Sequence, residues 1–177
     1  MKKNNSGFSL VELVVIMALM AIFMGIFTLG IGQLTGYDAK ETYKKISSAI
    51  TKNKIDTLGK AKAPGSMYLE IYKSDSDNQI YARTVIVDTD TKTETKVDET
   101  KLSKRGRSTV TYEMEGGSGV EATESHPLKI CFNRSTGAIV DLADPGTVST
   151  LKYIRVTAGT KTYTIELVPS TGKIIGK

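Results

Sequence analysis

The feature that most constrains this chain is a long apolar stretch near its start, which runs from Ser6 to Ile31. Between Phe8 and Ile31 the stretch contains one ionisable side chain, Glu12, and no proline. About 20 apolar residues span a bilayer as a helix, because a helix satisfies every backbone N–H and C=O internally. The stretch therefore predicts a helix that is long enough to cross a membrane and that carries an acidic group near its beginning.

The carboxylate of Glu12 requires an explanation, because an acidic group inside a membrane is unfavourable by roughly 2.5–3.5 kcal/mol and implies a partner. Glu12 follows Phe8 closely in the sequence. Cleavage after Gly7 would create a positively charged amine at Phe8, and pairing of this amine with the carboxylate would neutralise both groups. We therefore identify Gly7, Phe8 and Glu12 as the candidate functional residues of the stretch.

Two simpler interpretations of the stretch stay open. A secretory signal peptide also has a basic start, but its apolar core is usually about 7–15 residues long and ends in a small-x-small cleavage site. The apolar run here is longer, and Gly30-Ile31-Gly32-Gln33 does not provide such a site. An unprocessed single-pass anchor that displays a β domain fits the length of the run but gives no reason for Glu12.

The residues around the proposed cleavage point also form a recognisable motif. Gly7-Phe8-Ser9-Leu10-Val11-Glu12 follows a short basic leader, Met1 to Ser6. This segment resembles the class III signal of type IV pilins and type II secretion pseudopilins. The resemblance implies that a prepilin peptidase cleaves after Gly7 and N-methylates Phe8, and that Glu12 acts in filament assembly. It implies a structural subunit and not an enzyme.

The resemblance also implies partners and a location. The partners are other pilin subunits, the prepilin peptidase, an inner-membrane assembly platform and membrane lipid. The subunit is expected to be a single-pass protein of the cell membrane, with its globular domain outside the cytoplasm, and then part of an extracellular or envelope-spanning filament. Near the C-terminus, Lys129-Ile130-Cys131-Phe132-Asn133, Thr136-Gly137 and the turn Thr171-Gly172-Lys173 loosely resemble H-type pseudopilins and related minor pilins. This likeness favours a minor pilin or pseudopilin slightly over a major pilin.

After the apolar stretch, the sequence pattern is that of an amphipathic helix followed by strands. Apolar residues recur at spacings of three and four at Ala39, Tyr43, Ile46 and Ile50, and Leu58 extends the series two turns further, which predicts one buried stripe on a helix. Short alternating runs separated by turn sequences then predict antiparallel strands. The expected fold is α+β, with a long N-terminal α-helix, apolar in its first half and amphipathic in its second, packed on a pilin-like antiparallel β-sheet domain.

This pattern divides the chain into four segments. We expect a leader peptide at residues 1–7, a transmembrane and assembly helix at 8–36, an amphipathic helix at 37–62 and a β-rich globular domain at 63–177. The last two segments together have the size of one ordinary globular domain.

No catalytic, metal or cofactor site is apparent in the sequence. His126 is the only histidine and Cys131 the only cysteine, so neither a Ser-His-Asp set nor an intramolecular disulfide is predicted. Asp75, Asp77 and Asn78 cluster, but they lack the ligand pattern of a calcium loop. We therefore expect no enzyme activity, no cofactor and no bound metal.

Nucleic acid is the alternative partner class. The formal charge of +5 is too small to identify a partner by itself. Arg105, Arg107, Lys173 and Lys177 are candidates for phosphate contacts. Because some minor pilins capture DNA through basic C-terminal residues, the resemblance makes a DNA-binding minor pilin for DNA uptake the alternative function. A solvent-exposed loop is the simpler interpretation of these charges.

Overall fold

The computed structural model describes residues 9–63, 65–88 and 90–176, and the side chains of residues 26–35 lie outside this description. In the described part of the chain, one helix, α1 (Leu10–Lys60), is followed by ten strands. The strands are β1 (Met67–Lys73), β2 (Ile80–Val87), β3 (Glu94–Lys101), β4 (Thr109–Met114), β5 (Val120–Glu121), β6 (Leu128–Phe132), β7 (Ile139–Val140), β8 (Leu151–Ala158), β9 (Lys161–Val168) and β10 (Lys173–Gly176). The chain separates into two compact units between Leu34 and Thr35.

The strands form two antiparallel sheets of five strands each. Sheet 1 has the order β3-β2-β1-β6-β7, and sheet 2 has the order β10-β9-β8-β4-β5. The predicted α+β fold, with a helix followed by antiparallel strands, is confirmed. The division of the strands between two sheets was not predicted, because alternation in a sequence identifies a strand but not the strand with which it pairs.

The second unit has one main hydrophobic core, to which the helix and both sheets contribute. Ile46 and Ile50 of α1 are fully buried in it. Complete burial of a side chain of this size stabilises the fold by about 1.5–3 kcal/mol. Sheet 1 supplies Leu69, Ile71 and Ile130, and sheet 2 supplies Val110, Ile154 and Ile165.

The buried stripe of α1 differs from the predicted stripe near the end of the helix. Leu58 was expected to be buried, but it is 41% exposed, so this prediction is wrong. Asn53 and Thr57 are buried instead, because a helix of 3.6 residues per turn brings them and not Leu58 to the face that carries Ile50. The Thr57 hydroxyl donates to the carbonyl oxygen of Asn53 at 2.8 Å, which satisfies it inside the fold.

Lys54 of α1 forms hydrogen bonds with the turn between β9 and β10. Its ammonium group donates to the carbonyl oxygens of Thr171 at 2.9 Å and Gly172 at 3.0 Å. Gly172 has a positive φ of 58°, and a Cβ atom on it would collide with the carbonyl oxygen of Gly137. The fold therefore brings together two Thr-Gly turns that are far apart in the sequence, and it requires glycine at position 172.

A second, smaller apolar cluster lies on the face of sheet 1 that points away from Ile46 and Ile50. It contains Tyr68, Val85, Cys131 and Val140. Cys131 is 1% exposed, and this burial raises the pKa of its thiol from 9.0 to about 11. Because the folded state disfavours the thiolate, the stability contributed by the neutral thiol is complete below pH 9 and is lost as the pH rises through 11.

The contact between Gly172 and Gly137 predicts the effect of Gly172→Ala. The added methyl group would collide with a backbone oxygen and would strain a left-handed residue, so we expect the free energy of unfolding to fall by at least about 2 kcal/mol. Urea unfolding of the full chain in detergent, followed by circular dichroism, measures this. Gly119→Ala is the matched control, because a Cβ atom there meets open space; a similar loss in both variants would contradict the prediction.

The burial of Cys131 predicts that its thiol is protected. With a pKa of about 11 instead of 9.0, the thiolate fraction at pH 8 is about 100-fold lower in the folded protein, and burial also excludes the reagent. We expect a thiol-specific chromogenic reagent to react at least about 100-fold more slowly at pH 8 in buffer than in urea. Rapid reaction of the folded chain would show that this face of sheet 1 is open.

Candidate functional site

The described part of the candidate assembly site begins at Ser9 and forms the start of α1. The backbone N–H of Ser9 donates to Oε2 of Glu12 at 3.3 Å, and the backbone N–H of Glu12 donates to Oγ of Ser9 at 3.2 Å. This reciprocal pair is a capping box, in which two side chains satisfy backbone donors that have no partner inside the helix. Ser9 and Glu12 therefore define where the helix starts.

The capping box gives Glu12 a local structural role that our sequence analysis missed. The signal was present, because Ser9-Leu10-Val11-Glu12 has the Ser-x-x-Glu spacing that identifies such a box before an apolar run. An acidic side chain in the first turn is also favoured by the helix dipole. The carboxylate of Glu12 is thus held beside the backbone of Ser9, the residue that directly follows Phe8.

The described side chains in the first part of α1 form an exposed apolar surface. Every described side chain from Ser9 to Gly25 is exposed. The exposed large side chains include Leu10 (81%), Met17 (67%) and Phe23 (62%). Soluble monomers rarely expose contiguous apolar patches of more than a few hundred Å², and larger patches mark contacts with proteins or membranes. The segment therefore has the kind of surface that contacts another protein or a membrane.

The predicted cleavage-site residues, Gly7 and Phe8, lie outside the described residues. Cleavage after Gly7 and methylation of Phe8 therefore stay predictions. Among the residues that the structure describes, no helix combines the length and the apolar character that a membrane crossing needs.

The basic candidates for phosphate contact lie in different parts of the second unit. Arg105 and Arg107 are in the loop between β3 and β4, and Lys173 is in β10 at the edge of sheet 2. A guanidinium nitrogen of Arg105 lies 3.9 Å from a carboxylate oxygen of the buried Asp38 on α1. Arg107 is exposed. Lys177 lies outside the described residues.

The neighbouring Lys104 is also paired with the helix. Its ammonium group lies 3.0 Å from a carboxylate oxygen of Glu41, which a second lysine, Lys45, approaches at 3.2 Å. These two cations hold the pKa of the Glu41 carboxyl below its usual value. The loop between β3 and β4 therefore uses two of its cations, Lys104 and Arg105, to attach to α1.

The other polar residues considered in the sequence have local hydrogen-bond partners among the described residues. His126 is exposed in a loop, where its backbone N–H donates to the Thr123 hydroxyl at 3.2 Å. Among the described residues, no group of three or more His, Cys, Asp and Glu side chains is arranged to hold a metal ion. Asp77 instead accepts hydrogen bonds from Tyr81 at 2.8 Å and Lys101 at 3.1 Å.

Comparisons with known proteins identify the N-terminal segment. Residues 2–28 match the family described as "Prokaryotic N-terminal methylation motif", which confirms the resemblance noted for the N-terminal segment. Neither a curated protein nor a solved structure matches the chain. The proteins that carry this motif are structural and not enzymatic. The match supports the similarity of this N-terminal segment to the signal of type IV pilins and type II secretion pseudopilins.

Proposed function

We propose that this chain is a structural subunit that a prepilin peptidase processes after Gly7 and methylates at Phe8. Its N-terminal helix then assembles it into a type IV pilus or a type II secretion-like filament, with a minor pilin or pseudopilin slightly favoured over a major pilin. The observation that carries the proposal is the match of residues 2–28 to the methylation motif, because this range includes Gly7, Phe8 and Glu12.

The exposed apolar surface of α1 supports this function. A helix segment that is apolar on all sides is stable only where water is excluded. Before assembly, membrane lipid would cover residues 8–31, which carry one ionisable side chain. After assembly, the same residues of other subunits would cover it in the filament core. The subunit would therefore pass from the cell membrane, through an assembly platform, to a filament outside the cytoplasm.

The position of Glu12 supports a role in setting the contact between neighbouring subunits. An ionised carboxylate has about four acceptor positions, so Glu12 can keep its hydrogen bond to the Ser9 N–H and also accept one from an ammonium group. In the processed chain, the Phe8 amine of a neighbouring subunit would supply this group. The pair would neutralise both charges in apolar surroundings, where an unpaired charge is strongly disfavoured.

DNA capture is not part of this proposal. Arg105 already faces Asp38, and Lys104 already pairs with Glu41. Phosphate binding at this loop would have to compete with these two contacts of α1. Arg107 and Lys173 are exposed in separate elements.

The two roles of Glu12 predict different outcomes for two substitutions. Glu12→Gln keeps an acceptor that suits a capping box but removes the charge, so we expect filament assembly to fall at least about 100-fold. Ser9→Ala weakens the cap, which typically costs about 1 kcal/mol, but it keeps the charge, so we expect filaments to form. Quantification of sheared filaments by immunoblot measures both variants.

Membrane fractions provide the control for this experiment, because both variants should accumulate in the membrane at the wild-type level. Normal assembly of the Glu12→Gln variant would refute the charge-pairing role. Loss of assembly in Ser9→Ala together with normal assembly in Glu12→Gln would show that helix capping alone matters.

The state of the N-terminus separates the proposed subunit from an unprocessed membrane anchor. We expect mass spectrometry of the purified native chain to find Phe8 as the first residue, with a methylated amine. A Gly7→Leu variant should keep its leader, because the residue on the amino side of the cleavage point is changed. Recovery of the wild-type chain with residues 1–7 attached would support the anchor and contradict the proposal.

A further inference from the structure

Strand β3 (Glu94–Lys101) leaves one of its edges without a partner in the described structure. It is the terminal strand of sheet 1 and pairs with β2 along its other edge. All eight of its residues are exposed. An edge strand of this length presents a row of backbone N–H and C=O groups that another strand can use.

The register of β3 on β2 contains a bulge at Val97. Thr84 pairs with Asp98, but the next residue of β2, Val85, pairs with Lys96, so Val97 is an extra residue on β3. Residues that are directly opposite in an antiparallel pair point to the same face. Glu94, Lys96, Glu99 and Lys101 therefore share the face of Val85, and Thr95, Asp98 and Thr100 share the opposite face of sheet 1.

We propose that β3 is a self-complementary edge through which two copies of this chain pair in antiparallel orientation. The two-fold axis passes between Val97 and Asp98. On each side of the axis, every charged residue on the face of Val85 then lies opposite a residue of opposite charge. The opposed residues are Glu94 with Lys101 of the partner subunit, Thr95 with Thr100 of the partner subunit, and Lys96 with Glu99 of the partner subunit.

The bulge makes this register possible. In a regular strand, Glu94 and Lys101 point to opposite faces because side chains alternate. The extra residue at Val97 restores them to one face, and it does the same for Lys96 with Glu99 and for Thr95 with Thr100. The feature that interrupts pairing inside the subunit is therefore the feature that permits pairing with a second copy.

The neighbouring registers are disfavoured by like charges. Moving the partner by two residues in one direction places Glu94 opposite Glu99, and moving it in the other direction places Lys96 opposite Lys101. Like charges directly opposite in a sheet are destabilising. A shift by one residue places side chains on the wrong faces. One register thus combines matched faces with opposite charges.

Contacts inside the subunit preorganise two of the four charged side chains. Glu99 accepts a hydrogen bond from the Tyr72 hydroxyl at 2.6 Å, and its carboxylate lies 3.9 Å from a guanidinium nitrogen of Arg83. The Lys101 ammonium lies 3.1 Å from a carboxylate oxygen of Asp77. Both side chains remain about half exposed, so each can accept a further charged partner.

Charges on an edge strand often keep the strand monomeric, and this alternative predicts no pairing. The charges of β3 repel a strand in another register but match a second copy in the proposed one. A two-fold contact is closed and does not propagate. It is therefore separate from the repeated contact of a filament, and it would join free subunits or subunits of adjacent filaments.

Cysteine cross-linking of the full chain in detergent tests the proposed register. In this register, a Thr95→Cys chain and a Thr100→Cys chain place their introduced thiols opposite each other. In a pair formed by two copies of the same variant, the two introduced thiols are separated by about five residues of strand, roughly 17 Å, which is too far for a disulfide. The buried native Cys131 does not compete. We expect a disulfide-linked dimer under oxidation only when the two variants are mixed.

A charge reversal tests the proposed ion pairs. Adding Lys96→Glu to both cysteine variants places two carboxylates opposite each other on both sides of the axis. We expect the cross-linked fraction to fall at least about fivefold. Lys44→Glu, an equal charge change on the exposed face of α1, is the matched control and should leave the fraction unchanged.

The outcomes are distinct. A dimer in the mixture that depends on Lys96 supports the proposal. Folded variants that give no dimer when mixed, or dimers that form equally well from one variant alone, would overturn it. Circular dichroism of each variant confirms folding. Because this assay reads the edge of sheet 1, its result does not depend on whether Glu12 directs filament assembly.

Discussion

The fold of the second unit depends on the burial of one stripe of α1. Ile46 and Ile50 lie fully inside a core that both sheets share. The stripe thereby supplies a packed layer against the apolar residues of both sheets. Polar contacts then attach the surrounding loops to the same helix. They join Lys54 to the turn after β9, and Asp38 and Glu41 to the loop before β4.

The two parts of α1 differ in whether their apolar side chains are buried. Around Ile46, the helix has a buried stripe and exposed charged faces, as a surface helix does. From Leu10 to Gly25, all described side chains are exposed, although nearly all of them are apolar. The apolar side chains around Ile46 are therefore buried within the subunit, whereas those from Leu10 to Gly25 are not buried by the described residues. This contrast distinguishes the N-terminal segment from the rest of the helix.

Many charged side chains of the second unit form ion pairs within it. A row of side chains crosses sheet 1 from Lys129 through Glu70 and Arg83 to Glu99. Glu70 is buried between cations on both neighbouring strands, which compensates the cost of removing it from water. The basic loop before β4 is similarly occupied by α1. The strand β3 also contributes to these pairs through Asp98, Glu99 and Lys101, although all of its residues are exposed.

Local sequence determined the kind of elements and the nature of the N-terminus. Periodicity of three to four residues placed Ala39, Ile46 and Ile50 on the buried face of a helix, and alternation identified most strands, because these signals depend only on neighbours along the chain. The motif around Glu12 could also be identified from the sequence. The Ser-x-x-Glu spacing of its capping box was present there too, although our sequence analysis missed it. Tertiary structure decided the contacts between distant residues. It buried Asn53 and Thr57 in place of Leu58, divided the strands between two sheets, and brought Gly137, Gly172 and Lys54 together. No local pattern specifies these contacts, because each depends on which segments pack against α1 after the chain has folded.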